Sequence, residues 1–345
     1  MSSIFVVYLA AVGVAAAVTF VTTPIVRAAA LHFGWVDVPS SDVKTHKVPT
    51  PSLGGAAIYM GFVVALLCMR FWTQFPTGTL YALRALLFGG TLVFILGVVD
   101  DLAKPRGLGF KEKFAVQVLA AGLLIAFGIR IRFITPDYVA VGLTLLWVVG
   151  ITNAYNIVDI MDGLSASQAA VASLSFLLIS LPSEERYVNI ASAALAGATL
   201  GFLPWNFSSR RKIFMGDSGS MLLGFLLSGV AMGTRYSDVN NLGIFSPLLI
   251  VLVPMYDTFF VMYLRLRKGQ SPFLGSRDHF ALRLEKLGYS RGRIVFMAAA
   301  ASVFLGFCAF LVTQLSALSA LAVYAVVFVA ILLLSDALAD IIMHD

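Results

Sequence analysis

Asp100 and Asp101 follow Gly97-Val98-Val99 directly, so two adjacent carboxylates emerge where an apolar stretch ends. Side by side they repel each other, and a bound divalent cation is a common way to keep both ionised. Lys104, three residues on, adds a positive charge suited to a phosphate. A third isolated carboxylate, Asp217, stands between glycines in Phe214-Met215-Gly216-Asp217-Ser218-Gly219-Ser220, at the mouth of another apolar stretch. Glycine lets backbone N–H groups approach an anion, and a helix starting here would aim its positive end at one.

Between these two strings, Asn153, Asn156, Asp159 and Asp162 recur at every third position up to Gly163. Each such step along an α-helix rotates by about 300°, so the four would fan over roughly half the circumference. Either the turn tightens toward 3₁₀, where they align, or the row serves two neighbouring sites. The second arrangement is favoured, with one end on metal and phosphate and the other on a nucleotide. Asn206 and the run Arg210-Arg211-Lys212 offer phosphate contacts or an anchor to lipid headgroups. Arg277-Asp278-His279-Phe280-Ala281-Leu282-Arg283 brings two cations and an imidazole to the longest loop, where His279 could bind a pyrophosphate or assist proton transfer. Asp257, within an apolar segment, is either functional or paired with a nearby arginine. In the first loop, Lys44, His46 and Lys47 precede Pro49, Pro51 and the Gly54-Gly55 pair, a combination suited to gripping an anionic ligand.

The elements that must position these groups follow from composition. The 345 residues are 59% hydrophobic and 12% charged, whereas soluble domains carry roughly a quarter charged residues. A water-soluble fold could not hide that much apolar surface. A bilayer core of about 30 Å needs roughly 20 apolar residues per helix. Eleven such segments recur, near 4–26, 53–71, 80–99, 114–129, 138–156, 166–181, 188–203, 219–233, 242–263, 293–313 and 316–335. Short connections make residues 1–345 one integral-membrane domain, an all-α polytopic transmembrane helix bundle of about eleven spans. The first segment is too long for a signal peptide's apolar core and lacks a basic leader, so it reads as a retained span. Cys68 and Cys308 both sit in apolar runs, which suggests neither a disulfide framework nor a zinc site.

Charge sets the orientation. Of the 24 basic residues, all but Arg70, Arg84, Arg130, Arg132, Arg186 and Arg235 fall in alternate loops on one side, which the positive-inside rule makes cytoplasmic. The N-terminus is then outside and the C-terminus inside. The polar strings all fall on the cytoplasmic side, so the loops there are the active-site loops. The net charge of +6 reflects orientation and anionic lipid rather than nucleic acid. A transporter is the rival from another class, but transporters usually place their sites near the bilayer midplane.

Taken together, Asp37-Val38-Pro39, Gly54-Gly55, Asp100-Asp101, residues 153–164 and 216–220, Asp257-Thr258 and residues 277–283 resemble the polyprenyl-phosphate N-acetylhexosamine-1-phosphate transferases of glycosyltransferase family 4. That family includes the phospho-MurNAc-pentapeptide translocase, whose reaction is the alternative reading of this chain. The resemblance implies Mg²⁺ dependence, with Mn²⁺ as an alternative ion, and a UDP-sugar donor such as UDP-GlcNAc. It further implies an undecaprenyl-phosphate acceptor and a multi-pass protein of the bacterial inner membrane, and leaves a homodimer open. Residue by residue, Asp217 matches the principal metal ligand, with Asp101 and Asp100 beside the ion, and Asp100 matches the group that deprotonates or positions the lipid phosphate. Asp159, Asp162 and His279 match catalytic positions. Lys44, His46, Lys47, Lys104, Asn153, Asn156, Asn206, Arg277 and Arg283 are the expected substrate contacts. The chain departs from the family pattern at Ile160, usually Gly, and in residues 279–282, where only the first histidine of His-x-His-His remains. The stretch from Asn206 to Asp217 is also one residue longer and lacks the usual Pro-Ala.

Overall fold

The protein was analysed as a computed structural model that describes residues 2–39, 48–75, 78–104, 106–183, 186–271, 276–341 and 343. Lys44, His46 and Lys47 lie outside the described residues. Among those described, the chain forms thirteen α-helices and one two-residue antiparallel pairing of β1 (Val36–Asp37) with β2 (Thr50–Pro51). Each of the eleven apolar segments is helical: α1 (Ser2–His32), α2 (Gly54–Trp72), α3 (Thr79–Leu102), α4 (Phe110–Ala126), α5 (Asp137–Ile157), α6 (Leu164–Ser180), α7 (Arg186–Asn206), α8 (Asp217–Gly233), the pair α9 (Ser246–Ile250) and α10 (Leu252–Arg267), α12 (Arg291–Gln314) and α13 (Ala317–Ala339). Between α10 and α12 lies a short α11 (Phe280–Lys286). Seven helices are long and apolar enough to cross a membrane alone, while α4, α6 and α8 have 17 residues each, about 26 Å of helix.

One expected span is not continuous. The segment 242–263 breaks at Val251, and its halves meet at 72°. Pro254 lacks the N–H that would bond to Ile250 and its ring crowds that carbonyl, so the helix restarts with proline in its first turn.

The core is built on small-residue contacts. Cβ atoms added at Gly197 and Gly201 of α7 would come within 2.2 and 2.4 Å of α1 backbone oxygens, so these two helices touch main chain to main chain. The same device sets the active end. A Cβ on Gly97 would lie 2.3 Å from Ser218 Cα, and one on Gly55 2.2 Å from Gly219 N, so α2 and α3 both abut the N-terminus of α8. Gly54 N and Gly55 N donate to Phe214 O (2.9 Å) and Met215 O (2.8 Å), holding the strand of chain that leads into α8. Large apolar side chains such as Leu321, Phe328 and Leu333 of α13 face outward, as expected of a lipid-facing helix.

Candidate active site

The N-terminus of α8 was expected to attract an anion, and it does: the anion is Asp101. Asp217 N and Ser218 N each donate to one Asp101 oxygen at 3.0 Å. With Gly97 pressed against the same turn, the last turn of α3 cannot move without breaking that cap. Asp100, beside it, accepts from Leu108 N at 2.6 Å. Two lysines then tie the carboxylates together. Lys104 lies 2.7 Å from Asp101 and 3.3 Å from Asp217, and Lys113 lies 2.7 Å from both Asp100 and Asp217. Asp100 and Asp101 are buried, and such ions hold only because each is paired and hydrogen-bonded. Burial alone would lower the Lys104 ammonium, but Asp217 and Asp101 outweigh it and hold it protonated well above the usual lysine range.

The polar row does not lie on one helix. α5 ends at Ile157, and Ile160 N donates back to Val158 O (2.8 Å) in a tight turn, so only Asn153 and Asn156 are helical. Asn153 exchanges amide hydrogen bonds with Gln117 of α4 (2.7 and 3.4 Å), and Asn156 donates to Ser220 (3.0 Å). Asp159 and Asp162 sit on the turn. Removal from water and the neighbouring Asp217 charge push the Asp159 carboxyl well above the usual range, with Lys104 pulling the other way. Asp162 pairs with Lys212 at 2.5 Å. Asn206, expected to contact substrate, lines the cleft and also braces this turn, accepting from Gly163 N (2.5 Å) and donating to Ile213 O (2.9 Å). Gly163 has φ +76° with the Phe207 ring where a Cβ would stand, so the turn into α6 requires glycine.

The longest loop divides. His279 Nδ1 lies 2.7 Å from Asp257 of α10, whose second oxygen accepts from Phe280 N at 2.9 Å. Asp257 thus pairs with a histidine, not an arginine. Arg283 does not reach the site. Its guanidinium is buried, bonding Asp278 (2.5 Å) and the carbonyls of Leu338 (2.8 Å) and Ile341 (2.6 Å) at the end of α13. Arg283 is therefore the C-terminal cap of α13 rather than a ligand group. Arg277 is not among the residues lining the cleft.

An open cleft of about 1900 Å³ runs past these groups, with Asp100 and Asp101 behind its lining. At one end it is lined by Lys104, Lys113, Asn156, Asp159, Asp162, Lys212, Asp217 and His279. From there it follows α5 along Asn153, Gly150, Trp147 and Leu146, with Phe245 just before α9 and Leu248, Met255 and Phe259 of the bent α9–α10 pair opposite, to Arg130 and Arg132. The break at Val251 therefore opens this wall. Titratable groups from five elements gather at one end of the bundle, not at its middle, which disfavours the transporter reading.

Among the described residues no three acidic or histidine side chains converge on one ion-sized point. The donor chemistry nevertheless fits a hard divalent cation: the carboxylates of Asp100, Asp101 and Asp217 share two ammonium groups, so oxygen ligands are in excess.

The family model for glycosyl transferase family 4 matches residues 83–235, from within α3 past the end of α8. The chain is 35% identical over 322 residues to a decaprenyl-phosphate N-acetylglucosaminephosphotransferase of Mycolicibacterium smegmatis, covering 84% of this chain and 78% of the relative. It is 32% identical over 279 residues to a probable undecaprenyl-phosphate N-acetylglucosaminyl 1-phosphate transferase of Bacillus subtilis, covering 78% and 75%. The chain belongs to glycosyl transferase family 4. A phospho-N-acetylmuramoyl-pentapeptide-transferase of Desulforudis audaxviator is 33% identical over 263 residues, 66% of this chain. As a family 4 member the chain is a multi-pass membrane transferase, and the matched region carries every carboxylate of the cluster.

Sequence reasoning missed three cleft groups. Lys113 read as an ordinary positive-inside residue, although its place on the first turn of α4 aims it back at Asp100. Gln117 was visible as the one amide in an apolar helix. Asp37, near Lys104 in charge and lining the cleft, was seen only as part of a loop motif.

Proposed function

We propose that this family 4 enzyme transfers an N-acetylhexosamine 1-phosphate from a UDP-sugar to undecaprenyl phosphate, giving a polyprenyl-diphospho-sugar and UMP, at the cytoplasmic face of the inner membrane. The observation that carries this reading is the carboxylate–ammonium cluster at the mouth of a long apolar cleft. A lipid acceptor can keep its tail along α5 and the bent α9–α10 wall while its phosphate reaches the cluster. A soluble nucleotide donor enters from the polar end.

Donor and acceptor are both polyanions, so their repulsion must be offset before an acceptor oxygen nears the donor's β-phosphorus. Lys104, Lys113 and Lys212 line the place of approach and supply positive charge there. In the transfer a bond forms between the lipid phosphate oxygen and the β-phosphorus. The bond from that phosphorus to the bridging oxygen breaks, and its electron pair leaves with UMP. Asp100, held by Lys113 and Leu108 N, positions the lipid phosphate or accepts its proton. Asp217, Asp101 and Asp100 would hold Mg²⁺ or Mn²⁺, which when bound shields phosphate charge and stabilises the departing nucleotide. Asn156, Asp159 and Asp162 line the donor side.

Purified full-length protein should convert UDP-GlcNAc and undecaprenyl phosphate into equal amounts of UMP and lipid-diphospho-sugar, weighed by mass spectrometry. Asp217→Asn should lower that rate by about three orders of magnitude. A wild-type protein that releases no UMP from any of a panel of UDP-sugars would refute the reading.

A further inference from the structure

Gln117 is a buried polar side chain with no part in the transfer proposed above. It is 1% exposed, lines the cleft, and follows Lys113 by one turn of α4, about 6 Å further along the helix. A chain of hydrogen bonds that can run in one direction only fixes how its amide is turned. The backbone carbonyl of Val149 only accepts, so Asn153 presents its NH₂ there, at 2.8 Å. The second hydrogen of that NH₂ meets Gln117 Oε1 at 2.7 Å. With its oxygen engaged, Gln117 is left to place its own NH₂. That group has two contacts, Asn153 Oδ1 at 3.4 Å and the Met221 sulfur at 3.5 Å. The first is longer than an ordinary N–H···O bond and the second is to a weak acceptor, so a buried NH₂ beside the cleft lacks a strong partner.

The level of this amide pair decides what it meets. Beyond Asn153 the α5 wall continues as Gly150, Trp147 and Leu146, and beyond Gln117 no residue of α4 lines the cleft. Polar groups therefore stop at the same height on both helices, where the apolar length begins. A nucleotide donor enters from the other end, past Asn156, Asp159 and Asp162. A lipid with its tail on the apolar length and its phosphate near Lys113 brings phosphate oxygens to the amide pair. Those oxygens are strong acceptors, and a neutral amide binds them without adding a charge that the nearby carboxylates would capture.

We infer that Gln117, oriented by Asn153, binds the phosphate of the lipid acceptor through its side-chain NH₂ and so sets how deep that head group sits in the cleft. The inference rests on the transfer reaction proposed above and adds an acceptor-binding residue to it.

Steady-state transfer by purified full-length Gln117→Leu should show the acceptor KM raised about tenfold with the donor KM unchanged. Leucine makes this wall more apolar, so a side chain that met only the lipid tail would give a lower acceptor KM instead. The ratio of variant to wild-type acceptor KM should be the same for undecaprenyl phosphate and for a seven-isoprene prenyl phosphate, because the lost contact is to the head group they share. Gln117→Met, unbranched and of similar length, should give the same shift and replaces the leucine variant if that one does not fold. A brace between α4 and α5 with no ligand role would lower the melting temperature without separating the two KM values. A folded Gln117→Leu or Gln117→Met protein whose acceptor KM is unchanged or lower, or whose donor KM rises equally, overturns the inference and leaves the transfer reaction standing. Failure of both variants to fold assigns Gln117 to the fold alone and overturns it as well. Wild-type protein that turns over no UDP-sugar overturns the reaction and the inference together.

Discussion

Gly97→Ala adds one methyl group at the place where α3 meets α8, without touching any charge. The new Cβ would lie 2.3 Å from Ser218 Cα, 2.4 Å from Ser218 N and 2.6 Å from Asp217 C. Carbon atoms settle at about 3.5 Å or more, so the two helices must part by about 1 Å. All three neighbours are backbone atoms, and no side chain can rotate away to absorb the change. That parting stretches the 3.0 Å bonds from Asp217 N and Ser218 N to Asp101 beyond hydrogen-bonding range and pulls Asp217 from the lysines it shares with Asp100 and Asp101. A displacement of that size at a reacting centre costs roughly 100-fold in rate, and overpacking costs about 1–3 kcal/mol in stability. The assay is the rate of lipid-diphospho-sugar formation alongside the melting temperature. Gly122→Ala is the matched control: it lies in α4 with open space around its Cβ, so its rate should stay at the wild-type value and its melting temperature should not fall. A folded Gly97→Ala protein with the same rate as this control would refute the claim that the contact sets the carboxylate geometry.

Lys113→Met removes the ammonium that holds Asp100 and Asp217 together, leaving two carboxylates to repel. It should lower stability in metal-free buffer by about 3 kcal/mol, and Mg²⁺ should restore more of the melting temperature than it adds to wild type. Asn206→Ala strips the brace from Gly163 N and Ile213 O and should cost about 2 kcal/mol in a denaturation experiment. Burial would raise the Asp278 carboxyl, but hydrogen bonds from Lys268, Ser276 and Arg283 outweigh it and hold it below the usual range. Its contribution is therefore fully present above the unfolded value of about 3.9 and is lost as pH falls through the lower folded value. Asp278→Asn should lower the melting temperature at neutral pH, by leaving Arg283 without its counter-ion, and narrow the gap to wild type in acid.

Much of this was legible before any coordinates. Apolar runs of about 20 residues fixed the helices, and the carboxylates at their ends marked the site, because a charged group next to hydrocarbon is costly and demands a partner. Which partner it would be was not legible. The helix N-terminus at Asp217 promised an anion but could not say that Asp101, 116 residues away, would be that anion. Arg283 and Asn206 are polar residues near polar motifs, and composition alone does not distinguish a ligand contact from a cap or a brace. The break at Val251 had a visible cause in Pro254, yet the hydropathy of 242–263 is continuous, and only packing shows that the bend opens a wall of the cleft. The three-residue spacing of Asn153 to Asp162 predicted a row that fans around a helix and serves two neighbouring sites, and the end of α5 at Ile157 divides it into a helical half and a turn half.

The most direct test of the cluster is Mn²⁺ binding to the purified full-length protein, followed by electron paramagnetic resonance in the absence of substrates. Wild type should hold one ion per chain, and Asp217→Asn and Asp101→Asn should each weaken that binding by at least tenfold while remaining folded. Folded variants that bind Mn²⁺ as tightly as wild type would show that the carboxylates of α3 and α8 do not share an ion, and would contradict the account at its centre.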